Sequence, residues 1–339
     1  MAHRIAINGY GRIGQCVLRA LYENRYRQHL QVVAINELAD PETIAYLTRF
    51  DTTHGYFPAQ VRQENNSLIV NGDQIQLLNH PEPKNLPWEA LGIDLVLECT
   101  GSYTDRETAE VHLHSGAKRL LFSQPAESTV DATIVYGINE VQLKPFHRIV
   151  SNASCTTNCI VPVLKTLDDH FGIEHGTITT IHSAMNDQPV IDAYHHTDLR
   201  LTRSAMQSII PRDTGLAKGI DRLMPHLAGC FAALSMRVPT INVSAMDLTV
   251  QVKRTTTVAE LNDMIRQTAR GPLRGLMRYV EEPLVSCDFN HDSHSSIVDL
   301  TQTKVIRGQM VKMVTWFDNE WGFANRMLDV SLHWLKQMA

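Results

Sequence analysis

Two cysteines four residues apart are the first feature of this sequence that could carry chemistry. Cys155 and Cys159 lie in the stretch SNASCTTNC, among small polar residues. Three kinds of site use such a pair: a redox-active disulfide, a metal centre, or a nucleophilic thiol beside a second cysteine that takes no part. The surrounding residues decide among the three.

A disulfide and a metal centre are both disfavoured. The chain has six cysteines in 339 residues and begins MAHRIAINGYGRIG, which is a strand pattern and not a secretory signal. Such usage is typical of reduced thiols, so we expect a cytoplasmic protein. His291 and His294 are far away in the sequence and lack a ligand-like spacing to the cysteines, so we expect no metal ion.

A nucleophilic thiol fits the pattern better. Cys155 precedes the helix-like stretch TTNCIVPVLKTL, and the macrodipole at a helix N-terminus lowers a thiol's pKa. Cys159, one turn further in beside apolar residues, is expected to be buried and inert. The expected base is His182, where the strand TITTIH ends. It is one of sixteen histidines, so from the residues alone an ordinary core or surface histidine stays an alternative.

A phosphate-binding turn is predicted near the N-terminus. Gly9, Gly11 and Gly14 form G-x-G-x-x-G directly after the strand RIAIN and before a helix. In that context the pyrophosphate of a dinucleotide sits on the helix N-terminus. A second strand ends at Glu37, 23 residues after Gly14, where an acid binds the adenosine ribose. Its charge repels a 2′-phosphate, so NAD is expected rather than NADP; a glycine turn without ligand is the alternative.

The elements that must position these residues form two α/β domains. Residues 1–150 alternate apolar strands with helices, which predicts a Rossmann-type NAD domain with a parallel sheet. A hairpin turned at VNGD interrupts that alternation. Residues 151–317 predict an α+β catalytic domain with a mixed or antiparallel sheet. Residues 318–339 predict a C-terminal helix that returns to the NAD domain.

Charge and hydropathy exclude two classes of partner. The chain is 43% hydrophobic and 20% charged, with a formal net charge of −5 and no Lys/Arg-rich block. We therefore expect no nucleic-acid partner and no membrane surface. A run of about 18 apolar residues, which a spanning helix needs, is missing from the sequence.

The motifs together resemble the glyceraldehyde-3-phosphate dehydrogenase family. They are NGYGRIG, ECTG, SNASCTTNC, TTIHS, SIIP with DTG, MRVPT, VSAMDLTV and WFDNEWGFANRM, in the family's order over essentially the whole chain. The resemblance implies an NAD-dependent homotetramer that oxidises a small phosphorylated aldehyde. Cys155 would attack the aldehyde, His182 would activate the thiol, and loss of hydride to NAD would leave a thioester.

The resemblance also implies the binding residues. For NAD it places Arg12 and Ile13 against the pyrophosphate, Ser123 near the nicotinamide side, and Asn319 on the carboxamide. The positions that match anion-binding and phosphate-lining residues are Ser154, Thr156, Asp187, Arg200, Thr214, Gly215 and Arg237. Hydroxyl, N–H and guanidinium groups are the ones that recognise phosphate.

Departures from the family pattern point to the substrate. Met185 stands where the family usually has threonine, Glu37 replaces an aspartate, and LRLTR puts Leu201 beside Arg200. HSAM, INEL and DFNHDSHSSIVD resemble a bacterial branch of the family that acts on D-erythrose 4-phosphate and is tied to pyridoxal phosphate synthesis. We expect that reaction, with 4-phosphoerythronate as product. A phosphorylating glyceraldehyde-3-phosphate dehydrogenase and an NAD-sensing binding protein without chemistry are the alternatives.

Overall fold

The computed structural model describes residues 2–195 and 198–337. The ends of the predicted segments 1–150 and 318–339, at Met1 and at Met338 and Ala339, lie outside the described residues. The chain divides into two compact units, one reaching Ser154 and resuming at Phe323, the other comprising Cys155–Gly322. Within the described residues, no helix has the length and apolar character needed to cross a membrane.

The first unit is built on a large sheet. Its strands are β1 (His3–Asn8), β2 (Leu30–Asn36), β3 (Phe50–Asp51), β4 (Gly55–Tyr56), β5 (Val61–Glu64), β6 (Ser67–Val70), β7 (Asp73–Leu78), β8 (Leu95–Glu98), β9 (Leu120–Phe122), β10 (Ala132–Thr133) and β11 (Ile149–Ser151). Its helices are α1 (Arg12–Glu23), α2 (Pro41–Arg49) and α3 (Arg106–His114).

Nine of these strands form one sheet in the order β10-β11-β9-β8-β1-β2-β7-β6-β5. Pairing is parallel from β10 to β7 and antiparallel from β7 to β5. In the register of β1, Asn8 lies opposite both Asn36 of β2 and Glu98 of β8. Three polar residues thus meet at the carboxyl edge of an otherwise apolar sheet centre.

Local sequence explains most of these elements. Asp40 and Asp105 cap α2 and α3 by accepting hydrogen bonds from the backbone N–H groups three residues on, as N-cap residues do. The hairpin between β6 and β7 turns at Asn71 and Gly72, both with positive φ (48° and 89°), which a two-residue turn of this kind requires. The hairpin prediction is confirmed, and β7 extends the parallel sheet beside β2.

The second unit carries a mixed sheet. Its strands are β12 (Ile173–His182), β13 (Ile210–Arg212), β14 (Phe231–Arg237), β15 (Ser244–Val252), β16 (Met277–Val280), β17 (Ser296–Ile306) and β18 (Met310–Phe317). Its helices are α4 (Cys155–Phe171), α5 (Leu216–Leu223) and α6 (Val258–Arg270). The sheet order is β13-β14-β12-β15-β18-β17-β16, parallel only at β12/β14 and β16/β17.

Both predicted sheet types, parallel in the first unit and mixed in the second, are confirmed. The last helix, α7 (Trp321–Lys336), belongs to the first unit from Phe323 onward. There Asn24 donates to the amide oxygen of Asn325 at 2.6 Å, and the Tyr26 hydroxyl donates to Asp329 at 2.7 Å.

Candidate active site

The glycine-rich turn between β1 and α1 is shaped by close packing. Gly9 has a φ of +87°, and a Cβ on it would lie 2.6 Å from the backbone nitrogen of Thr100. A Cβ on Gly14 would lie 2.3 Å from the carbonyl oxygen of Gly9. At Gly11, however, a Cβ would meet no described protein atom within 4 Å. The open space before α1 therefore fits a pyrophosphate held on the helix N-terminus.

Glu37 lies directly after β2, beside this turn. One carboxylate oxygen accepts from the backbone N–H of Tyr10 and the other from that of Leu38, each at 2.7 Å. Glu37 also lines a cavity of about 300 Å³ with Gly9, Gly11, Asn36, His80 and Thr100. An acid, an open glycine and a helix N-terminus around one cavity are the groups that a dinucleotide requires.

Arg12 and Ser123, two of the residues that the resemblance places near the cofactor, make hydrogen bonds within the protein. The Arg12 guanidinium pairs with Asp51. Burial acts to raise the pKa of Asp51, but the bond from Arg12 and backbone N–H groups lower it to about 2. The backbone N–H of Ser123 donates to the carbonyl of Glu98 at 3.0 Å. The charge of the Arg12 side chain is therefore already neutralised within the protein.

Cys155 begins α4, as predicted, but its environment does not favour the thiolate. Burial raises the pKa of the thiol to about 11, although Arg237 and the backbone N–H groups of Thr156 and Cys155 act to lower it. The expectation of a lowered pKa at the helix N-terminus is therefore wrong, because desolvation outweighs the helix. The thiol is protonated at neutral pH and needs a base.

His182 is placed to be that base. Its Nε2 lies 3.8 Å from the sulfur of Cys155, and its Nδ1 lies 2.8 Å from the carbonyl oxygen of Ser183. Because a carbonyl only accepts, the proton is on Nδ1 and the lone pair of Nε2 faces the thiol. Burial, and next the charge of Arg237, lower the pKa of His182 to about 4. The imidazole is thus neutral at pH 7 and able to take a proton.

Cys159 lies one turn further along α4 and is fully buried, as predicted. Its sulfur is 3.9 Å from the hydroxyl of Thr315, and burial raises the pKa of the thiol to about 12. Both properties keep this thiol in its protonated, unreactive form.

Asn319 is oriented by two serines that the sequence analysis did not single out. Its amide oxygen accepts from the hydroxyls of Ser183 at 3.0 Å and Ser244 at 2.8 Å. Since the oxygen is occupied, the amide NH₂ is the group left to donate to a further partner. Small hydroxyl residues at strand ends are too common in sequences to reveal this arrangement.

Arg237 ends β14 opposite His182 in the parallel register with β12. It is 9% exposed, its Nη1 lies 3.5 Å from the carbonyl of Ser183, and its Nε has no hydrogen-bond partner among the described residues. A buried guanidinium with an unused donor suits an anionic ligand. Thr214 and Gly215 lie at the start of α5, where the Thr214 hydroxyl accepts from Leu216 at 3.2 Å.

Arg212 is a charged residue near this site that the sequence analysis missed. It forms an ion pair with Asp187, and its charge acts on both His182 and Arg237. It belongs to β13, the antiparallel neighbour of β14. The available signal was its position in SIIPRDTG, two residues before Thr214, but the pairing with Asp187 needed the fold.

The segment LRLTR presents no arginine cluster. Arg200 is exposed and its guanidinium donates to the carbonyl of Pro211 at 3.4 Å. Leu201 is buried, with 1% exposure. Arg203 forms an exposed ion pair with Asp192 at 2.9 Å. Leu201 is therefore apolar, Arg203 is neutralised in an exposed ion pair, and Arg200 makes one long hydrogen bond to a carbonyl.

Two family models match the chain. The model described as the NAD binding domain of glyceraldehyde 3-phosphate dehydrogenase matches residues 3–106. The model of the C-terminal domain of the same enzyme matches residues 154–319. The matched ranges contain the glycine turn and Glu37 in the first case, and Cys155, His182 and Asn319 in the second.

Proposed function

Because the chain belongs to the glyceraldehyde 3-phosphate dehydrogenase family, and is therefore an NAD-dependent dehydrogenase of a phosphorylated aldehyde, we propose that its substrate is D-erythrose 4-phosphate. The product is 4-phosphoerythronate, which is then available to pyridoxal 5′-phosphate synthesis. This makes the chain an erythrose-4-phosphate dehydrogenase. Phosphorylating oxidation of glyceraldehyde 3-phosphate is the second candidate.

The reaction starts from the neutral thiol and imidazole pair. His182 accepts the thiol proton at Nε2 while the sulfur of Cys155 bonds to the aldehyde carbon and forms a thiohemiacetal. NAD, when bound, would supply the two-electron acceptor for the hydride of that carbon. The Cys155 backbone N–H stabilises charge on the former aldehyde oxygen. The acyl group is left on sulfur as a thioester, and the proton goes to solvent through His182.

Deacylation then separates the two candidates. Attack by water breaks the C–S bond and releases a carboxylate; one proton of the water passes through His182 to the sulfur, and the other goes to solvent. Attack by phosphate releases an acyl phosphate instead. His182 acts as general base toward the water. Burial keeps the pKa of His182 low. The imidazole therefore loses an accepted proton readily and is neutral again for the next transfer.

The observation that carries the proposal is that the LRLTR segment offers no firmly placed, unpaired cation. Binding a second phosphate as nucleophile requires a firmly placed cation. Leu201 is buried and apolar, and Arg203 is paired with Asp192. A weakly held phosphate favours water as the acceptor of the acyl group.

The substrate phosphate has a different set of neighbours. Met185 is 45% exposed and offers no hydroxyl. Arg237 brings a buried guanidinium, and Arg212 holds Asp187 in an ion pair. This pairing reduces the repulsion that the Asp187 carboxylate would exert on a phosphate. These residues support binding of a phosphorylated aldehyde. Its phosphate would be held by the charge of Arg237 more than by hydroxyl groups.

Steady-state kinetics with the two aldehydes side by side test the proposal. D-Erythrose 4-phosphate should have the higher kcat/KM, and chromatography should identify 4-phosphoerythronate. A higher kcat/KM for glyceraldehyde 3-phosphate would favour the second candidate.

We also propose a homotetramer. Several large apolar side chains of the segment after β12 are exposed, among them Val190 (73%), Ile191 (77%) and Leu199 (84%). On the sheet, Ile181 and Leu234 are also exposed. Apolar surface of this extent is typical of an interface between subunits. Light scattering on the eluting protein should give four times the mass of one chain, and a monomer would contradict this.

A further inference from the structure

A directional chain of hydrogen bonds runs along the carboxyl edge of the first sheet, beneath the predicted cofactor cavity. It starts at Asn36, whose amide is bound on both sides by the backbone of His80. The amide oxygen accepts from the His80 N–H at 2.9 Å, and Nδ2 donates to the His80 carbonyl at 3.0 Å. Since a flipped amide would lose both bonds, the orientation of Asn36 is fixed.

The orientation of Asn36 fixes that of Asn8. Nδ2 of Asn36 also donates to the amide oxygen of Asn8 at 2.7 Å. The Nδ2 of Asn8 must therefore point the other way, and it donates to Oε2 of Glu98 at 2.6 Å. Both asparagines and Glu98 are buried, with Glu98 1% exposed.

The second oxygen of Glu98 is also an acceptor. Oε1 accepts from the backbone N–H of Thr100 at 2.9 Å and from its hydroxyl. All hydrogen-bond partners of the carboxylate are thus donors. A residue at position 98 must therefore accept at two separated points, which glutamate does and glutamine cannot do.

A buried histidine supports this carboxylate. The Trp88 indole N–H donates to Nδ1 of His112 at 3.1 Å, so in the neutral ring the proton is on Nε2. Nε2 lies 3.5 Å from Oε2 of Glu98 and has no hydrogen-bond partner among the described residues. His112 and Trp88 are both fully buried. Nε2 of His112 thus lies close to a carboxylate in the protein interior without a formed hydrogen bond to it.

We propose that Glu98, with His112 behind it, is a positioning residue of the NAD site. It orients the Asn8–Asn36 chain and the loop at Thr100. These segments contribute lining residues to the cavity, namely Asn8, Asn36, His80 and Thr100. This role rests on NAD binding and not on the identity of the aldehyde. Glu98 touches neither substrate nor the reacting atoms.

A charge exchange between positions 98 and 8 tests the direction of the chain. Glu98→Gln places an NH₂ group against either Asn8 or Thr100, so one pair of donors must separate. Asn8→Asp places a second carboxylate against Glu98. In the double variant, the new amide at position 98 donates to the new carboxylate at position 8 and accepts from Thr100, and that carboxylate still accepts from Asn36. Each single variant should raise the Kd for NAD at least about tenfold, and the double variant should return it to within about threefold of the native value.

Titration calorimetry measures the Kd for NAD and for ADP-ribose, which lacks the nicotinamide. Glu127→Gln, at an exposed position of the same unit, is the matched control and should bind both ligands like the native chain. The rate of alkylation of Cys155 without NAD should not change in any of these variants. A purely structural role would lower the stability of the single variants and leave the Kd values of their folded forms near native.

Two results would overturn the proposal. One is a folded Glu98→Gln variant whose Kd values lie within twofold of native. The other is a double variant that binds NAD no better than the weaker single variant. If Glu98→Gln aggregates, the double variant decides: folded protein with near-native Kd supports the proposal, and aggregation or absent binding overturns it.

Discussion

The Nε2 atom of His182 lies 3.8 Å from the sulfur of Cys155. The imidazole ring is oriented by the hydrogen bond that its Nδ1 donates to the carbonyl of Ser183. The pKa of the thiol is raised to about 11 and that of the imidazole is lowered to about 4. Both groups are therefore uncharged between these values. A standing thiolate is therefore not expected at neutral pH, and in the proposed reaction the thiol would lose its proton to the imidazole during the attack.

Substitutions at the pair should separate binding from chemistry. Cys155→Ser should abolish dehydrogenation while the Kd for NAD stays near the native value, because the glycine turn is unchanged. His182→Asn should lower kcat by on the order of 10²–10⁴, which is the usual contribution of a general base. Cys159→Ala is the matched cysteine control and should keep substantial activity. A Cys159→Ala enzyme as inactive as Cys155→Ser would show that the second thiol takes part.

The raised thiol pKa predicts a particular pH dependence of alkylation. Because only the thiolate reacts, inactivation by iodoacetamide without substrate should accelerate about tenfold per pH unit between pH 7 and 9. The rate is followed as loss of activity, since the exposed Cys287 can be alkylated as well. A plateau below pH 8 would mean that the thiolate is already formed. Loss of the base on acidification should occur only as the pH falls toward about 4, the lowered pKa of His182.

Much of the fold follows from local sequence patterns. The strand before Gly9, the turn at Asn71 and Gly72, and the helix that begins at Cys155 each depend on residues close together in the chain. The pKa of Cys155 does not, since it depends on burial by distant segments. Sequence reasoning therefore predicted the position of the thiol and the wrong direction for its pKa.

Long-range pairing explains what else was missed. Arg212 meets Asp187 because β13 pairs with β14, and no spacing in the sequence encodes that pairing. Likewise, Asn8 meets Glu98 through the register of β1 and β8. In the sequence, ECTG served only as a family motif. The structure shows that its glutamate, Glu98, is a buried carboxylate that accepts hydrogen bonds from Asn8 and Thr100.

Cofactor choice should depend on the charge of Glu37. The native enzyme should have a kcat/KM for NAD on the order of a hundredfold above that for NADP, because a carboxylate beside a 2′-phosphate costs several kcal/mol. Glu37→Gln should narrow this ratio. Glu42→Gln, at an exposed position on α2, serves as the control and should leave the ratio unchanged. Equal kcat/KM for the two cofactors in the native enzyme would refute the role of Glu37.

Met185 should bias the choice between aldehydes. Met185→Thr adds a hydroxyl that can bond to a charged phosphate, an interaction worth ~1.5–3 kcal/mol. The variant should therefore use glyceraldehyde 3-phosphate better relative to D-erythrose 4-phosphate. The ratio of the two kcat/KM values is the measurement. An unchanged ratio would show that Met185 does not determine the choice of aldehyde.

Arg212→Leu provides the contrast to this variant. It leaves Asp187 without its ion-pair partner, so KM should rise for both aldehydes. The ratio between them should change little, because both carry the phosphate that Asp187 would repel. A selective loss of one aldehyde would place Arg212 at the carbon chain and not at the phosphate.

Release of the acyl group is the step that most sharply distinguishes the two candidate reactions. Phosphate attack needs a second anion site, yet Leu201 is buried and Arg203 is paired with Asp192. Water needs only a base, and His182 regains its neutral form readily because burial holds its pKa at about 4. We therefore expect NADH to form from D-erythrose 4-phosphate in phosphate-free buffer until the aldehyde is consumed. Absorbance at the NADH maximum, with and without added phosphate, follows the reaction, and product analysis should find a carboxylate. An absolute requirement for phosphate, with an acyl phosphate as product, would assign the chain to phosphorylating oxidation of glyceraldehyde 3-phosphate.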